Sequence, residues 1–278
     1  MSIERCVRRY QRFRAHVLIL GPPGCGKSTL ARTLHGGAGP FVHVNAAVPG
    51  ELLAAELFGT RVGGFTNAVD RAGRLAEADG GTLFLDEAGE LSDEQQAKLL
   101  TWLDTGRYSR VGDDHAARRS SARLVLATWR DPVGWMRTDL RDRLGHHVIV
   151  VPPPSRADLC AAIDDALRRW AALHAAPALR LGDGVLDELV AASSGSYRAV
   201  LSRLEAAWMD AVLEGHPVVE RRHLPAAGAP DVRSAAARAW VDVPLRAAHG
   251  DVGAAAKLAG VSRATMYRRL RAARGHRP

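Results

Sequence analysis

Lys27 and Ser28 close the run Gly21-Pro22-Pro23-Gly24-Cys25-Gly26-Lys27-Ser28, which fits the pattern G-x-x-x-x-G-K-[ST]. Glycines in such a run let consecutive backbone N–H groups curl around phosphate oxygens. An ammonium on a flexible stem, Lys27, reaches the β and γ phosphates of a nucleotide, and the Ser28 hydroxyl is a ligand for Mg²⁺. With Thr29 beside it, the run supplies a nucleotide-contacting set from Gly21 to Thr29. Farther along, Thr82-Leu83-Phe84-Leu85-Asp86-Glu87 is an apolar strand that ends in two carboxylates. Phosphate-loop chemistry needs that pair in two roles: Asp86 holds Mg²⁺ through water, and Glu87 polarises the attacking water.

A phosphate loop works only between a strand and a helix. Val17–Leu20 is a short apolar run of the kind that forms a strand buried on both faces, and Ser28–His35 reads as the helix. Comparable apolar runs recur at Phe41–Val44, Thr82–Leu85, Leu124–Ala127 and Val148–Val151, with helical segments between most of them, so the expectation is an α/β core on a parallel sheet. Pro152-Pro153-Pro154 ends that alternation. Residues 156–215 are rich in Ala and Leu at helical spacing, as in Leu159, Ile163, Leu167 and Trp170, and predict a separate helical unit; Leu224–Pro230 reads as a linker.

Charge is distributed unevenly. Of the net +8, all is carried by residues 233–278, where ten Lys or Arg face only Asp242 and Asp251. A basic block at one end points to a polyanion. Residues 243–273 read as helix, turn and helix: Gly260-Val261 turns the chain, and Ser262 caps a last helix carrying Arg263, Thr265, Tyr267, Arg268, Arg269 and Arg271. Arginines in the first half of such a helix can read guanine edges in the major groove of double-stranded DNA, with Arg271 and Arg274 placed for phosphates. Cys6, Cys25 and Cys160 lack metal-ligand spacing and fit a reducing cytoplasm. The Arg-rich start is no export signal, and no apolar run reaches the length of a membrane span.

Around the two phosphate motifs the chain resembles the AAA+ ATPase domain of bacterial enhancer-binding proteins, the sigma-54-dependent activators. The resemblance rests on Phe41-Val-His-Val-Asn45-Ala46, Glu56-Leu-Phe-Gly59, Gly63-Gly64-Phe65-Thr66-Asn67-Ala68, Gly80 through Glu87, Gln96-Ala-Lys-Leu-Leu100, Gly106 and Arg110-Val-Gly112. It implies that Asn45 restrains Glu87 until the nucleotide state changes, and that Phe65 and Thr66 touch the sigma factor. It also implies that Arg137 and Arg143 are arginine fingers completing a neighbour's site in a ring of like subunits. Gly195-Ser-Tyr-Arg198 stands where the family has Gly-Asn-Val-Arg, so Arg198 is the implied phosphate sensor of a helical lid. The basic end, from Ala254 to Arg268, resembles the Fis-type helix-turn-helix.

Three departures bear on function. Gly64 and Asn67 replace the Ala and Gly of the family's Gly-Ala-Phe-Thr-Gly-Ala loop. Thr128-Trp129 replaces the Thr-Asn of its sensor strand, and an indole cannot accept a hydrogen bond. Residues 1–16 are too few for an upstream sensory domain and for most of the segment that usually holds adenine, so the expectation is that neither is present in the family's usual form. The expected organisation is an AAA+ core over 1–152, a helical lid over 153–223, a linker over 224–235 and a small all-α helix-turn-helix domain over 236–278. The expected activity is ATP hydrolysis coupled to remodelling of sigma-54 RNA polymerase holoenzyme by a DNA-bound ring. The alternatives are a DNA-binding regulator with weak ATPase that no longer engages sigma-54, and an ATP-driven remodeller of another protein.

Overall fold

The computed structural model describes residues 3–62, 69–113, 117–192, 196–225 and 252. The chain divides between Pro153 and Pro154 into two compact units. In the first, every apolar run of the sequence becomes a strand: β1 (Val17–Leu20), β2 (Phe41–Asn45), β5 (Thr82–Asp86), β8 (Arg123–Thr128) and β9 (Val148–Val150). These pair in parallel in the order β2-β5-β8-β1-β9.

The runs are continuously apolar because both faces of the sheet are covered, and side chains alternate between them. Leu18, Val44, Leu83, Leu85, Leu124 and Leu126 point to one face. There they pack against α3 (Gly50–Phe58), α4 (Arg74–Glu77), α5 (Asp93–Thr105) and α6 (Thr138–Leu144) through Leu53, Leu57, Leu75, Leu99, Trp102, Leu140 and Leu144. Val17, Ile19, Phe84, Val125, Ala127 and Ile149 point the other way, onto α1 (Ile3–Phe13) and α2 (Lys27–His35) through Cys6, Tyr10, Ala31 and Leu34. The first helix was not anticipated from the Arg-rich start; its signal is the Cys6/Tyr10 pair four residues apart, buried beneath exposed Arg5, Arg8, Arg9 and Arg12. Arg123 enters β8 buried, donating from Nε to the Ala15 carbonyl and from a terminal nitrogen to that of Leu34, each at 2.7 Å, which clamps the entry to β1 and the end of α2. Burial pushes its pKa down to about 10.

Two short antiparallel hairpins project from this core: β3 (Gly59–Thr60) with β4 (Arg71–Ala72), and β6 (Arg107–Tyr108) with β7 (Arg118–Arg119). A chain of charges ties their stems. Arg61 reaches Asp113 at 3.1 Å, Asp113 reaches Arg110 at 3.4 Å, and Arg110 reaches Asp70 at 2.5 Å. Desolvation opposes ionisation of Asp113, but bonds and charge from Arg110 and Arg61 outweigh it and hold the carboxyl below its usual range.

The second unit holds α7 (Arg156–Leu173), β10 (Arg180–Leu181), α8 (Val185–Ala192), α9 (Tyr197–Leu213) and β11 (Val218–Val219). Ser155 and Asp158 form a capping box that starts α7. Leu159, Ile163 and Leu167 then meet Val185, Leu189, Val200, Leu204 and Trp208 in a core of their own. The parallel pair β10–β11 lies outside the helical reading of this stretch. Residues 226–251 and 253–278, with nearly all of the helix-turn-helix and the expected linker beyond Pro225, lie outside the described residues, while Leu224, the first residue of that linker, is buried in the core of the second unit. Among the described residues no helix is long and apolar enough to cross a membrane.

Phe84 is fully buried at the centre of the sheet and stacks on Phe41 with centroids 5.9 Å apart. Phe84→Ala is expected to cost about 3–5 kcal/mol of unfolding free energy, read from urea denaturation of the first unit.

Candidate functional site

The register of the sheet brings the motif residues together. Leu20 lies beside Thr128 and Leu85 beside Leu126, so β1, β8 and β5 end at one edge, where open parallel sheets bind ligands. The Gly21 N–H donates to the Thr128 carbonyl at 3.2 Å, fixing the start of the loop to the end of β8. Gly21 tolerates no side chain, since a Cβ there meets the Val151 carbonyl oxygen at 2.6 Å. Gly24 and Gly26 take φ of 74° and 99°, a left-handed backbone that glycine adopts without penalty. Gly26 is also the N-cap of α2 and offers no side-chain cap, so the first N–H groups of that helix are left for an anion.

Lys27 is buried, and its ammonium donates to the carbonyls of Gly21 at 2.9 Å and Pro22 at 3.1 Å. The loop therefore folds back on its own cation. The Ser28 hydroxyl donates to Asp86 Oδ2 at 3.0 Å, joining the two sequence motifs across 58 residues. Asp86 Oδ1 accepts from the Glu87 N–H at 3.0 Å, and Glu87 itself sits at φ 55°, ψ 40°. A left-handed Glu is a strained backbone of the kind that structures retain at functional sites. Cys25, inside the loop, is buried, and desolvation pushes its thiol pKa up, so it stays protonated at neutral pH.

Asn45 pairs in register with Asp86, but its side-chain oxygen accepts from the Ala47 N–H at 2.9 Å, and no hydrogen bond joins it to Glu87. Thr128 ends β8 fully buried and its hydroxyl accepts from the Arg130 N–H. Trp129 is 49% exposed, with the Arg130 guanidinium 5.7 Å from its ring centroid. Arg137 precedes α6 and pairs with Asp139 through two hydrogen bonds, at 3.0 and 2.6 Å; these bonds raise the arginine pKa and lower that of the acid. Arg143 reaches Asp104 at 2.8 Å and the Leu103 carbonyl at 3.0 Å. Both arginines are thus held within their own chain. Arg198 is exposed in the first turn of α9, in the second unit. Phe65, Thr66, Gly64, Asn67 and Gly195, with the DNA set Ser262, Arg263, Thr265, Tyr267, Arg268 and Arg271, lie outside the described residues.

Sequence reasoning missed three members of this neighbourhood. His43 Nε2 stands 3.8 Å from Asp86 Oδ2, and the signal was its place on β2 two residues before Asn45. Gln96, buried on α5, donates to the Leu91 and Trp135 carbonyls and accepts from the Arg137 N–H at 2.8 Å, so it sets where the arginine segment begins. Arg130 binds the turn that follows Glu87.

The Sigma-54 interaction domain family matches residues 1–152. The chain is 45% identical over 158 residues to the Nif-specific regulatory protein of Azotobacter vinelandii, covering 53% of this chain and 30% of that protein. It is 39% identical over 233 residues to the Nif-specific regulatory protein of Klebsiella pneumoniae, covering 79% of this chain and 44% of the relative. The chain thus spans less than half the length of these relatives. Among solved structures, NtrX from Brucella abortus in complex with ATP superimposes with a TM-score of 0.69 at 25% identity, over 98% of this chain and 66% of the other. The Holliday junction branch migration motor RuvB of Thermotoga maritima shares the fold, with a TM-score of 0.54 at 16% identity over 95% of this chain and 81% of its own. With a parallel sheet, a phosphate-type loop and an acidic strand end in this arrangement, the chain belongs to the Sigma-54 interaction domain family, the AAA+ group of sigma-54-dependent transcriptional regulators.

Proposed function

We propose that this chain is an ATP-hydrolysing, DNA-binding regulator that remodels sigma-54 RNA polymerase holoenzyme from a ring of like subunits in the cytoplasm. The observation that carries the ATPase reading is the 3.0 Å bond from Ser28 to Asp86, which sets the hydroxyl and the carboxylate side by side between Lys27 and Glu87. The ATP complex of NtrX supports the nucleotide. Ser28 and Asp86 together form an oxygen donor set of the hard kind that suits Mg²⁺ with waters completing its shell. When bound, the ion neutralises charge on the β and γ phosphates.

The remaining steps belong to the chain. N–H groups of Gly24 to Thr29 bind phosphate oxygens, and Lys27 exchanges the Gly21 and Pro22 carbonyls for them. Glu87 takes the proton of the attacking water as its oxygen adds to the γ-phosphorus, while the bond from that phosphorus to the β–γ bridging oxygen breaks and ADP leaves with the electron pair. Arg143 and Arg137 leave Asp104 and Asp139 to enter a neighbour's site, where a guanidinium stabilises charge developing on the transferred group. Arg198 reports phosphate from the lid, and Asn45 leaves its turn to restrain Glu87 between cycles. The loop with Phe65 and Thr66 presses on the sigma factor. Ser262, Arg263, Thr265, Tyr267, Arg268 and Arg271 hold DNA. Trp129, half-exposed where the family has Asn, favours a second reading in which hydrolysis persists and sigma-54 activation is weak.

Glu87→Gln is expected to bind ATP and to lose about 10²- to 10⁴-fold in kcat. Lys27→Ala is expected to lose about tenfold or more in nucleotide affinity. Phosphate release and nucleotide titration check the pair, and wild-type turnover by Glu87→Gln refutes the role of that carboxylate. Turnover per chain is expected to rise with protein concentration, and mixing Arg143→Ala with Glu87→Gln is expected to restore activity at mixed interfaces. Two assembled mutants that show no rescue at any ratio contradict fingers in trans. For coupling, Asn67→Gly with Trp129→Asn is expected to raise ATP-dependent open-complex formation with sigma-54 polymerase more than ATP turnover. Thr66→Ala is expected to abolish activation while sparing hydrolysis.

A further inference from the structure

Glu87 is followed by a 3₁₀ turn, Ala88–Glu90, and the left-handed backbone of Glu87 is the residue that starts it. The Glu90 N–H bonds the Glu87 carbonyl at 3.0 Å and the Leu91 N–H bonds that of Ala88 at 3.1 Å. On its upstream side Glu87 is held by the Asp86 carboxylate. A turn of three residues has too few internal bonds to keep a strained residue in place by itself.

The missing restraint comes from the segment just after β8. Arg130 donates from one terminal nitrogen to the buried Gly89 carbonyl at 2.9 Å and from the other to the Glu90 carboxylate at 2.5 Å. Its own N–H is fixed on the Thr128 hydroxyl at 3.1 Å. The approach is close enough to demand glycine: a Cβ on Gly89 would stand 2.8 Å from Arg130 Cδ and 2.9 Å from Thr128 Oγ1. A guanidinium suits this task because its two terminal nitrogens reach a carbonyl and a carboxylate in one rigid plane. The exposed Arg130–Glu90 pair contributes little alone, so the bond to the Gly89 carbonyl is the part that matters.

We infer that Arg130 is a positioning residue for Glu87: it staples the turn after the carboxylate to the end of β8 and keeps Glu87 in its left-handed conformation. The inference rests on the ATPase reading above for its catalytic consequence, while the staple itself is a property of the fold. Arg130 makes no hydrogen bond or ion pair with Lys27, Ser28 or Asp86, so its loss is expected to lower kcat and spare nucleotide binding.

Two measurements on the full chain test this. In hydrogen exchange, Arg130→Ala is expected to accelerate the Glu90 and Leu91 amides, with other sheet-edge amides unchanged; unchanged Glu90 and Leu91 amides overturn the staple whether or not the protein turns over ATP. In steady-state kinetics Arg130→Ala is expected to lower kcat about 10- to 100-fold, as for a displaced catalytic group, with KM for ATP within about twofold. Arg130→Lys, which keeps one donor, is expected to lose less. Glu90→Gln, which spares the Gly89 bond, is expected to stay within about threefold of wild type. Gly89→Ala, which displaces Arg130 without deleting it, is expected to reproduce the kcat loss even if Arg130→Ala folds poorly. Wild-type kcat in both Arg130→Ala and Gly89→Ala overturns the inference, as does a fall in ATP affinity and melting temperature in step with kcat. A wild-type protein without turnover instead overturns the ATPase reading, and is told apart by the exchange result.

Discussion

Parallel pairing of β5 with β8 and of β8 with β1, in a register that ends all three strands together, is the constraint on which the rest of the first unit depends. It delivers Gly21, Asp86 and Thr128 to one edge without any of them having to choose it. Because the strands are buried on both faces, a slip of one residue would turn Phe84, Val125 and Ile19 toward the wrong helices, so the core enforces the register. The chemistry at the edge is therefore fixed by packing well away from it. Arg123 closes the opposite end of β8 on the Ala15 and Leu34 carbonyls, so the strand that carries Thr128 is anchored at both ends.

At that edge, polar groups are satisfied internally but by replaceable partners. The Lys27 ammonium rests on two loop carbonyls, and the Ser28 hydroxyl on a carboxylate. A buried cation with such partners avoids the cost of isolation, and a phosphate offers it a stronger, charge-assisted bond. The same holds for Arg137 and Arg143, whose carboxylate partners are half-exposed and contribute little, so that exchanging them for an anion is cheap. By contrast the Thr128–Arg130–Gly89 contacts involve a buried hydroxyl and a buried carbonyl. Losing either bond would leave a buried polar group unsatisfied, so these contacts are costlier to exchange than those of the exposed arginines.

What was legible in the sequence was what short-range pattern encodes. Four-residue apolar runs marked each strand of the main sheet, and the glycine spacing of residues 21–28 marked the loop, because both are local demands of the backbone. The resemblance to sigma-54 activators held for the same reason, as its motifs are contiguous. Long-range contacts were not legible. Nothing in the string at Arg130 says that its guanidinium meets Gly89, 41 residues earlier, and the β10–β11 pair joins two-residue strands too short for alternation to show. The first helix was hidden by its arginines, which outnumber the two buried residues that make it amphipathic. Asn45 shows a further limit. Its register beside Asp86 is fixed by the sheet, while its side chain turns to its own backbone.

The loop and the acidic strand end are expected to share one ligand. A crystal structure of the chain with Mg²⁺ and a non-hydrolysable ATP analogue measures this. The predicted result is that Lys27 leaves the Gly21 and Pro22 carbonyls for the β and γ phosphates and that the Ser28–Asp86 bond opens around the cation. Arg130 is predicted to remain on the Gly89 carbonyl. A nucleotide bound elsewhere, or Lys27 still on the two carbonyls with phosphate present, would contradict the account.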